Sequence, residues 1–591
     1  MNKIKPLPEE WSGLLNSEQK EAIENIQGPL LIIAGAGSGK TRVLTYRYAH
    51  LIKTYGINFE NILAITFTNK AANEMKERIS QLLNLELSPK WISTFHSLCV
   101  KMLRIHGHHI GFNNNFTIYD QSDSTKLIRN CMKDSDIDTK QYSPKRIQAH
   151  ISSLKNQRIL PGEAIEFAQS FFDVKVAEVY SSYQKKLMLA NSMDFDDLLV
   201  KAVELLETSD KSLDYWSSKF KYIMIDEYQD TNMVQYRLVE LLASKYKNIC
   251  VVGDSDQSIY AFRGADIRNI QEFENDFRNA KVISLEKNYR SSQKILDIAN
   301  AVISNNPRNK EKKLWTENEV GLDVNLIEFN SERDESKWIA DEINKLLNQN
   351  EYSEIAIFYR TNNQSRLFEE ELRKLSLNYK VVGNVRFYDR KEIKDIISYL
   401  NFLINPEDTI SFERILNVPK RGIGESTLQK LRDYSNTNEI SLSESINNLS
   451  KISNLSERAK KQIINFQEII NELKTFALQG PSITITKTLE LTGYKDELVK
   501  EGTLESQMRL ENLDELLTSA FEFENLYEEE VEDPFTVLRD YLESIALFTD
   551  SDDVNKEDRI LLMTLHNAKG LEFPAVFITG MEENIFPSQR S

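Results

Sequence analysis

Cysteine is scarce in this chain. Three occur in 591 residues, Cys99, Cys131 and Cys250, and none stands in a CxxC spacing. That excludes a disulfide framework, argues against a cysteine-ligated zinc site and points to a reducing compartment. Long apolar runs are missing too: no stretch approaches the roughly 20 residues that cross a bilayer. The N-terminus, MNKIKPLPEEW, lacks the apolar core of a signal peptide. A cytoplasmic protein with no membrane partner is expected. Positive charge is also in short supply. The formal net charge is −17, which at first argues against a nucleic-acid partner. Its distribution removes the objection. Residues 501–553 hold 17 acidic residues against Arg509 and Arg539, leaving only −2 for the rest of the chain. Basic surface elsewhere is therefore permitted. The acidic segment carries Leu, Phe and Tyr at helical spacing, as in LENLDELLTSAFEFENL. It reads as amphipathic helices with acidic, solvated faces, followed by a loop at YEEEVEDP.

What the chain does have is ordinary globular composition, 41% apolar and 28% charged, and length for about four domains. It also has PLLIIAGAGSGKT, Pro29 to Thr41. Leu30 to Ile33 reads as a buried strand. Ala34, Gly35, Ala36, Gly37, Ser38 and Gly39 follow as a small-residue loop, with Ala34 where Gly is usual. A helix is expected from about Gly39 to Ile52. Its N-terminus offers unpaired N–H groups and the positive dipole end to phosphate. Lys40 can reach the β- and γ-phosphates and the Thr41 hydroxyl can ligate Mg²⁺. A glycine-rich strand-to-helix turn alone would be the bland alternative; the spacing and the GKT ending argue against it.

Further along, LNSEQKEAI places Asn16 or Ser17 as a helix cap and Gln19 in that helix. Ile62 to Thr66 reads as a second parallel strand, with Phe67, Asn69 and Lys70 beyond its carboxyl end, where open α/β sheets bind ligands. WISTFHSLCVKMLR puts Thr94, Phe95 and His96 at another strand end. Aromatics beside basic residues fit a single-stranded nucleic-acid track; core packing is the alternative for Phe67 and Phe95. His106, His108 and His109 lack a metal-ligand spacing and read as surface. Residues 113–199 turn helical and polar, closing on MDFDDLL, where Phe195 is another stacking candidate.

KYIMIDEYQDTN sets Asp226 and Glu227 at the end of a strand, Tyr222 to Ile225. Asp226 would hold the Mg²⁺ shell and Glu227 would orient or deprotonate the attacking water. The next strand, Asn248 to Val252, runs into GDSDQSIYAFRGAD. Gln257 is placed for the γ-phosphate, with Tyr260, Phe262 and Arg263 just beyond. After a strand from Lys281 to Leu285, EKNYRSS offers Tyr289 to stack on adenine and Arg290 for charge on the transferred phosphoryl.

DEYQDTN, GDSDQSIYAFRGA and NYRSS, in this order behind the phosphate loop, resemble the superfamily 1 DNA helicases of the UvrD/PcrA/Rep type over essentially the whole chain. The resemblance implies an α/β fold of two RecA-like domains with parallel sheets and flanking helices, ATP and Mg²⁺ between them. Each domain would carry a mainly helical insert. The implied layout is 1–112 with 200–284 for the first domain and 113–199 for its insert. The second domain would take 285–385 with 554–591, and its insert 386–553. It further implies that Gln19 reads adenine and that Arg42 and Tyr289 sandwich it, with Glu572 on the ribose. Single-stranded DNA would meet Phe67, Asn69, Thr94, His96, Phe195, Tyr260, Phe262, Arg263, Arg360 and His566. The family often has Trp at the place of Phe262 and a basic residue at the place of Ala261. In the second half, VNLIEF and EIAIFYRTN read as strands, and 559–587 returns to strand pattern. Gly422 and Gly424 form a turn between helices beside Lys420 and Arg421, a duplex contact by analogy and a plain helical corner otherwise. The family continues past the last motif seen here with a second arginine of the ATP site, so that arginine is not expected within these 591 residues. The activity implied is 3′-to-5′ translocation and unwinding of tailed duplex DNA, with repair proteins as further partners.

Overall fold

The computed structural model describes residues 5–85, 89–306, 312–348, 354–383, 387–438, 440–527, 533–548 and 560–587. Among them two parallel sheets set the frame. In chain order the strands are β1 Leu30–Ala34, β2 Ile62–Thr66, β3 Ile92–Thr94, β4 Thr117–Tyr119, β5 Ser192–Asp194, β6 Tyr222–Ile225 and β7 Ile249–Gly253. There follow β8 Lys281–Leu285, β9 Lys287–Asn288, β10 Trp315–Thr316, β11 Ile355–Tyr359, β12 Lys380–Val381, β13 Ile560–Thr564 and β14 Ala575–Ile578. The larger sheet has the order β3-β2-β6-β7-β1-β8, with Leu30 opposite Cys250 on one side and Lys281 on the other. Its inner strands are near-continuous apolar runs, LLIIA, ILAIT, YIMI and ICVVG. Such runs suit a sheet covered by helices on both faces, and apolar clusters lie on each side. Because β6, β7 and β1 are neighbours and parallel, their carboxyl ends converge at one place.

The smaller sheet has the order β12-β13-β11-β14, again parallel, with Ile355 between Ile560 and Ala575. VNLIEF is not part of it. Residues 324–329 form no strand, and Leu326 is 93% exposed. An apolar segment becomes a strand only where a sheet edge accepts its hydrogen bonds, and the edge at β14 does not pair with it.

Two helical lobes complete the described molecule. The first, with helices between Gln121 and Leu189, closes over Tyr119, Ile128, Ile151, Tyr180 and Tyr183 and is tied off by the short β4–β5 pair. The second spans the helices from Lys391 to Ala546 around Phe412, Phe466, Leu513 and Leu516. The acidic stretch forms the helices Leu504–Asn525 and Thr536–Ala546; the second is amphipathic as expected, whereas the first buries Leu513, Leu516 and Ala520 but leaves Leu504, Met508 and Phe521 exposed. Most of YEEEVEDP lies outside the described residues. The lobes touch. Tyr119 donates from its hydroxyl to Asp408 at 2.7 Å, and Asn405 donates to Thr117 at 2.9 Å. Ile410 packs into the first lobe's core. No helix among the described residues is long and apolar enough to cross a membrane.

Candidate nucleotide site and nucleic-acid interface

The phosphate loop runs from β1 into the helix Lys40–Lys53, close to the expected span. Gly37 and Gly39 take left-handed φ of +64° and +87°, a region glycine enters without penalty. A Cβ on Gly37 would stand 2.6 Å from the Asn288 amide and 2.7 Å from Arg290 Cβ; one on Gly35 would run into Leu314. The buried Ser38 hydroxyl donates to the Gly35 carbonyl at 2.8 Å and closes the turn. The Asn288 amide donates to the Ala36 carbonyl at 2.7 Å, and the Tyr289 N–H to that of Gly37 at 2.9 Å. The loop is thus gripped by the segment that carries Tyr289 and Arg290.

Lys40, at the helix start, reaches Glu227 at 3.0 Å and Gln257 at 3.4 Å. Thr41 donates to Asp226 at 3.4 Å. Burial alone would lower Lys40, but Glu227, Asp226 and Asp254 outweigh it and raise its pKa. Burial, and then the Glu227 charge, push the Asp226 carboxyl up to about 6. Glu227 goes the other way: burial opposes its charge, but Lys40 and then Lys569 hold it below the usual carboxylate range. Glu227 itself has φ +51°, an uncommon conformation for a residue with a side chain. It aims the carboxylate into the cleft, where Gln229 donates to it at 2.6 Å. The donors present fit Mg²⁺-ATP by type: loop N–H groups and Lys40 for phosphate oxygens, Thr41 and Asp226 for a hard cation that keeps most of its ligands as water and phosphate. Among the described residues no cluster of three or more His, Cys, Asp or Glu forms a metal site of its own.

Several expected nucleotide contacts are otherwise engaged. Asn16 caps its helix in a capping box with Gln19, and the Gln19 amide donates to the Ser38 carbonyl at 3.2 Å. In this structure the buried amide ties the helix to the phosphate loop. Arg42 lies 5.8 Å from the Tyr46 ring, while the Tyr289 hydroxyl accepts from Asn16 at 3.1 Å. Glu572 forms an ion pair with Arg290.

The second cluster of expected residues is also assembled. Phe67 and Tyr260 stack at 5.4 Å, and His96 lies 5.4 Å from Phe195. Phe262 is 65% exposed and meets His566 edge-on at 5.0 Å. Arg360 reaches the His566 ring at 3.4 Å. Phe67, His96, Phe195, Tyr260 and Phe262 line a cleft of about 710 Å³ bounded by the larger sheet and both helical lobes. Burial pushes His96 down to about 4, so its ring is neutral at physiological pH. Phe95 is core, 3% exposed. Thr94 caps the helix Phe95–His106, and Asn69 donates to the Leu547 carbonyl at 2.8 Å. The side chain of Arg263 lies outside the described residues. His108 and His109 are at the surface, but His106 is half-buried and accepts from Trp216 at 3.0 Å. At the helical corner, Lys420, Gly422 and Gly424 are exposed, with Gly422 at φ +77°. Arg421 turns inward, donating to the Tyr399 hydroxyl at 2.6 Å and the Ile415 carbonyl at 2.8 Å.

Family models match the chain end to end. The UvrD/REP helicase N-terminal domain matches residues 15–278 and the UvrD-like helicase C-terminal domain residues 283–591. The chain belongs to the UvrD/Rep helicase family. Relatives named ATP-dependent DNA helicase PcrA are similar throughout. That of Staphylococcus aureus is 46% identical over 579 residues, which is 98% of this chain and 79% of the relative. That of Staphylococcus epidermidis is 47% identical over the same shares. With membership in this helicase family established, residues outside the expected set gain interest. Gln229 is wholly buried and bridges Glu227 to the Asp254 N–H, which donates to it at 2.9 Å. Lys569 forms an ion pair with Asp230, donates to the Gln257 carbonyl at 2.6 Å and lies 5.1 Å from the Tyr260 ring. A glutamine between two acidic residues in DEYQD was the available signal for the first. For Lys569 there was none beyond its motif.

Proposed function

We propose that the chain is an ATP-dependent DNA helicase that moves 3′ to 5′ on single-stranded DNA, unwinds tailed duplex DNA and serves DNA repair or replication in the cytoplasm. One observation carries the coupling. The stretch Asp254 to Phe262 carries Gln257, within reach of Lys40, and three residues later supplies Tyr260, stacked on Phe67 in the cleft. A shift of this stretch is felt at both sites. Bound ATP with Mg²⁺ supplies the phosphoanhydride to be cleaved. Loop N–H groups, Lys40, Thr41 and Asp226 hold it. Glu227, kept ionised by Lys40, accepts a proton from the attacking water. Arg290, in the part of the chain matched by the C-terminal family model, stands with its Cβ beside Gly37 and offers a guanidinium for developing charge. Tyr260, Phe67, Phe262, His96 and Phe195 offer stacking faces to successive bases. Polarity is carried by the family likeness alone.

Two assays test this. ATP turnover should rise at least tenfold with single-stranded DNA, and a 3′-tailed duplex should be unwound in preference to a 5′-tailed one. Absence of stimulation overturns the enzymatic reading, and preference for the 5′ tail overturns the polarity. Stimulated turnover with protein displacement but little strand separation would instead identify a translocase.

A further inference from the structure

Lys312 is outside every motif discussed above, yet its ammonium group is buried at the nucleotide site, 8% exposed. It forms an ion pair with Asp254, itself 3% exposed, and a second with Asp256 at 3.2 Å. Asp254 is a junction. One carboxylate oxygen faces Lys312 and accepts the Asp256 N–H at 3.0 Å. The other accepts from the Gln257 amide nitrogen at 2.6 Å. That bond decides which end of the Gln257 amide points into the cleft: its oxygen faces Lys40 at 3.4 Å. The backbone N–H of Asp254 leads the other way, through Gln229, to Glu227. Lys312 itself belongs to the half of the chain matched by the C-terminal family domain. Two residues on, Leu314 covers Gly35 of the phosphate loop.

We propose that Lys312 is a positioning residue for ATP hydrolysis, acting through Asp254 to orient the γ-phosphate sensor Gln257. The inference rests on the functional reading above. The physical ground is the buried carboxylate. Asp254 and Lys312 form a buried ion pair, and removing one partner of such a pair leaves the other uncompensated, so that the carboxylate is driven to turn away from its place. Turning away withdraws the acceptor that holds Gln257. Because the cation comes from the far half of the chain, the sensor is aligned only when the second half sits against the loop as it does here.

The test is a set of three variants, each checked for folding by circular dichroism. Lys312→Met keeps most of the aliphatic stem and removes the charge. It should lower the single-stranded-DNA-stimulated kcat by about 10- to 100-fold, the scale of a misplaced catalytic contact. KM for ATP and the affinity for single-stranded DNA should change less than about threefold, since the ion pairs of Lys312 are with Asp254 and Asp256. Lys312→Arg should retain most of kcat. Adding Asp254→Asn to Lys312→Met should recover kcat at least about fivefold, because an asparagine carbonyl still accepts from Gln257 without needing a cation. If Lys312→Met fails to fold, Lys312→Gln takes its place with the same expectation. Stimulated turnover in the native protein with Lys312→Met within twofold of it overturns the inference alone. So does a double variant no better than Lys312→Met. No stimulated turnover in the native protein overturns the functional reading, and this inference with it.

Discussion

Replacing Glu227 by glutamine separates binding from chemistry at this site. The carboxylate is held by Lys40 at 3.0 Å and by the Gln229 amide at 2.6 Å, and it is kept ionised by the first of these. Gln229, and Lys40 at 3.2 Å, donate to the same carboxylate oxygen, so a glutamine carbonyl placed there keeps both donors while its new N–H₂ group faces Lys40. The local cost is that of one buried donor left unpaired, about 1–3 kcal/mol, partly offset because Lys40 still has Asp226 and Gln257 nearby. The kinetic cost is larger. A general base contributes about 10²–10⁴-fold, which at 1.36 kcal/mol per decade is about 3–5 kcal/mol of activation free energy. Glu227→Gln should therefore reduce DNA-stimulated kcat by at least about 100-fold. The Kd of a fluorescent ATP analogue should stay within about threefold, because the loop N–H groups, Lys40 and Thr41 are untouched. Coupled-assay turnover and stopped-flow binding measure the two quantities. Turnover within tenfold of the native protein, or an ATP affinity reduced more than tenfold, would refute the assignment of water activation to this carboxylate.

Phe262→Ala removes an exposed stacking face, 65% accessible, and should weaken single-stranded DNA binding by about 1–3 kcal/mol without altering basal turnover; fluorescence anisotropy reads the loss. Arg421→Ala strips the in-turned guanidinium from Tyr399 and the Ile415 carbonyl. It should lower Tm by several degrees with duplex affinity nearly unchanged, whereas Lys420→Ala at the exposed corner should do the reverse. Glu543 sits 3.8 Å from Arg104, but burial outweighs that cation and pushes its carboxyl up to about 7. A carboxyl whose folded pKa lies above its unfolded value binds its proton more tightly when folded, so stability is lost as pH rises through about 7. Tm should fall between pH 6 and pH 8 in the native protein and fall less in Glu543→Gln, measured by differential scanning fluorimetry.

The parts of the site that were legible in the sequence are those where chemistry and backbone sit in one short stretch. An apolar run, a small-residue loop and Lys40-Thr41 occupy 13 consecutive residues, Pro29 to Thr41, and Asp226-Glu227 follow directly on β6. Local spacing cannot show what packing decides. Lys312 meets Asp254 across 58 positions and Lys569 meets Gln257 across 312; a lone lysine carries no mark of such a partner. Arg421 is basic and stands beside two glycines, as an exposed phosphate ligand would, but the aromatic Tyr399 that draws it inward is 22 positions away. VNLIEF has the apolar content of a strand, and such content reports a tendency to pair without showing that an edge is there to receive it. Gln19 was legible in a different sense: Asn16 three residues earlier is the signature of a capping box, the role its side chain fills here.

The order of strands in the smaller sheet has a consequence for how the chain folds as it is made. β11 pairs with β13 on one side and β14 on the other, and Ile355 lies opposite Ile560, 205 positions later. Between them comes a helical lobe whose core draws on its own residues. At roughly 5–20 residues per second, about 10–40 s of synthesis separate β11 from its first neighbour. During that interval Ile355, Ile357 and Tyr359, all fully buried in the finished protein, have only the helices on either side of β11 to cover them. The lobe can condense meanwhile, so the nascent chain holds a folded bundle beside an open strand, and Glu572 and Lys569, which meet Arg290 and Gln257, are made only after that interval.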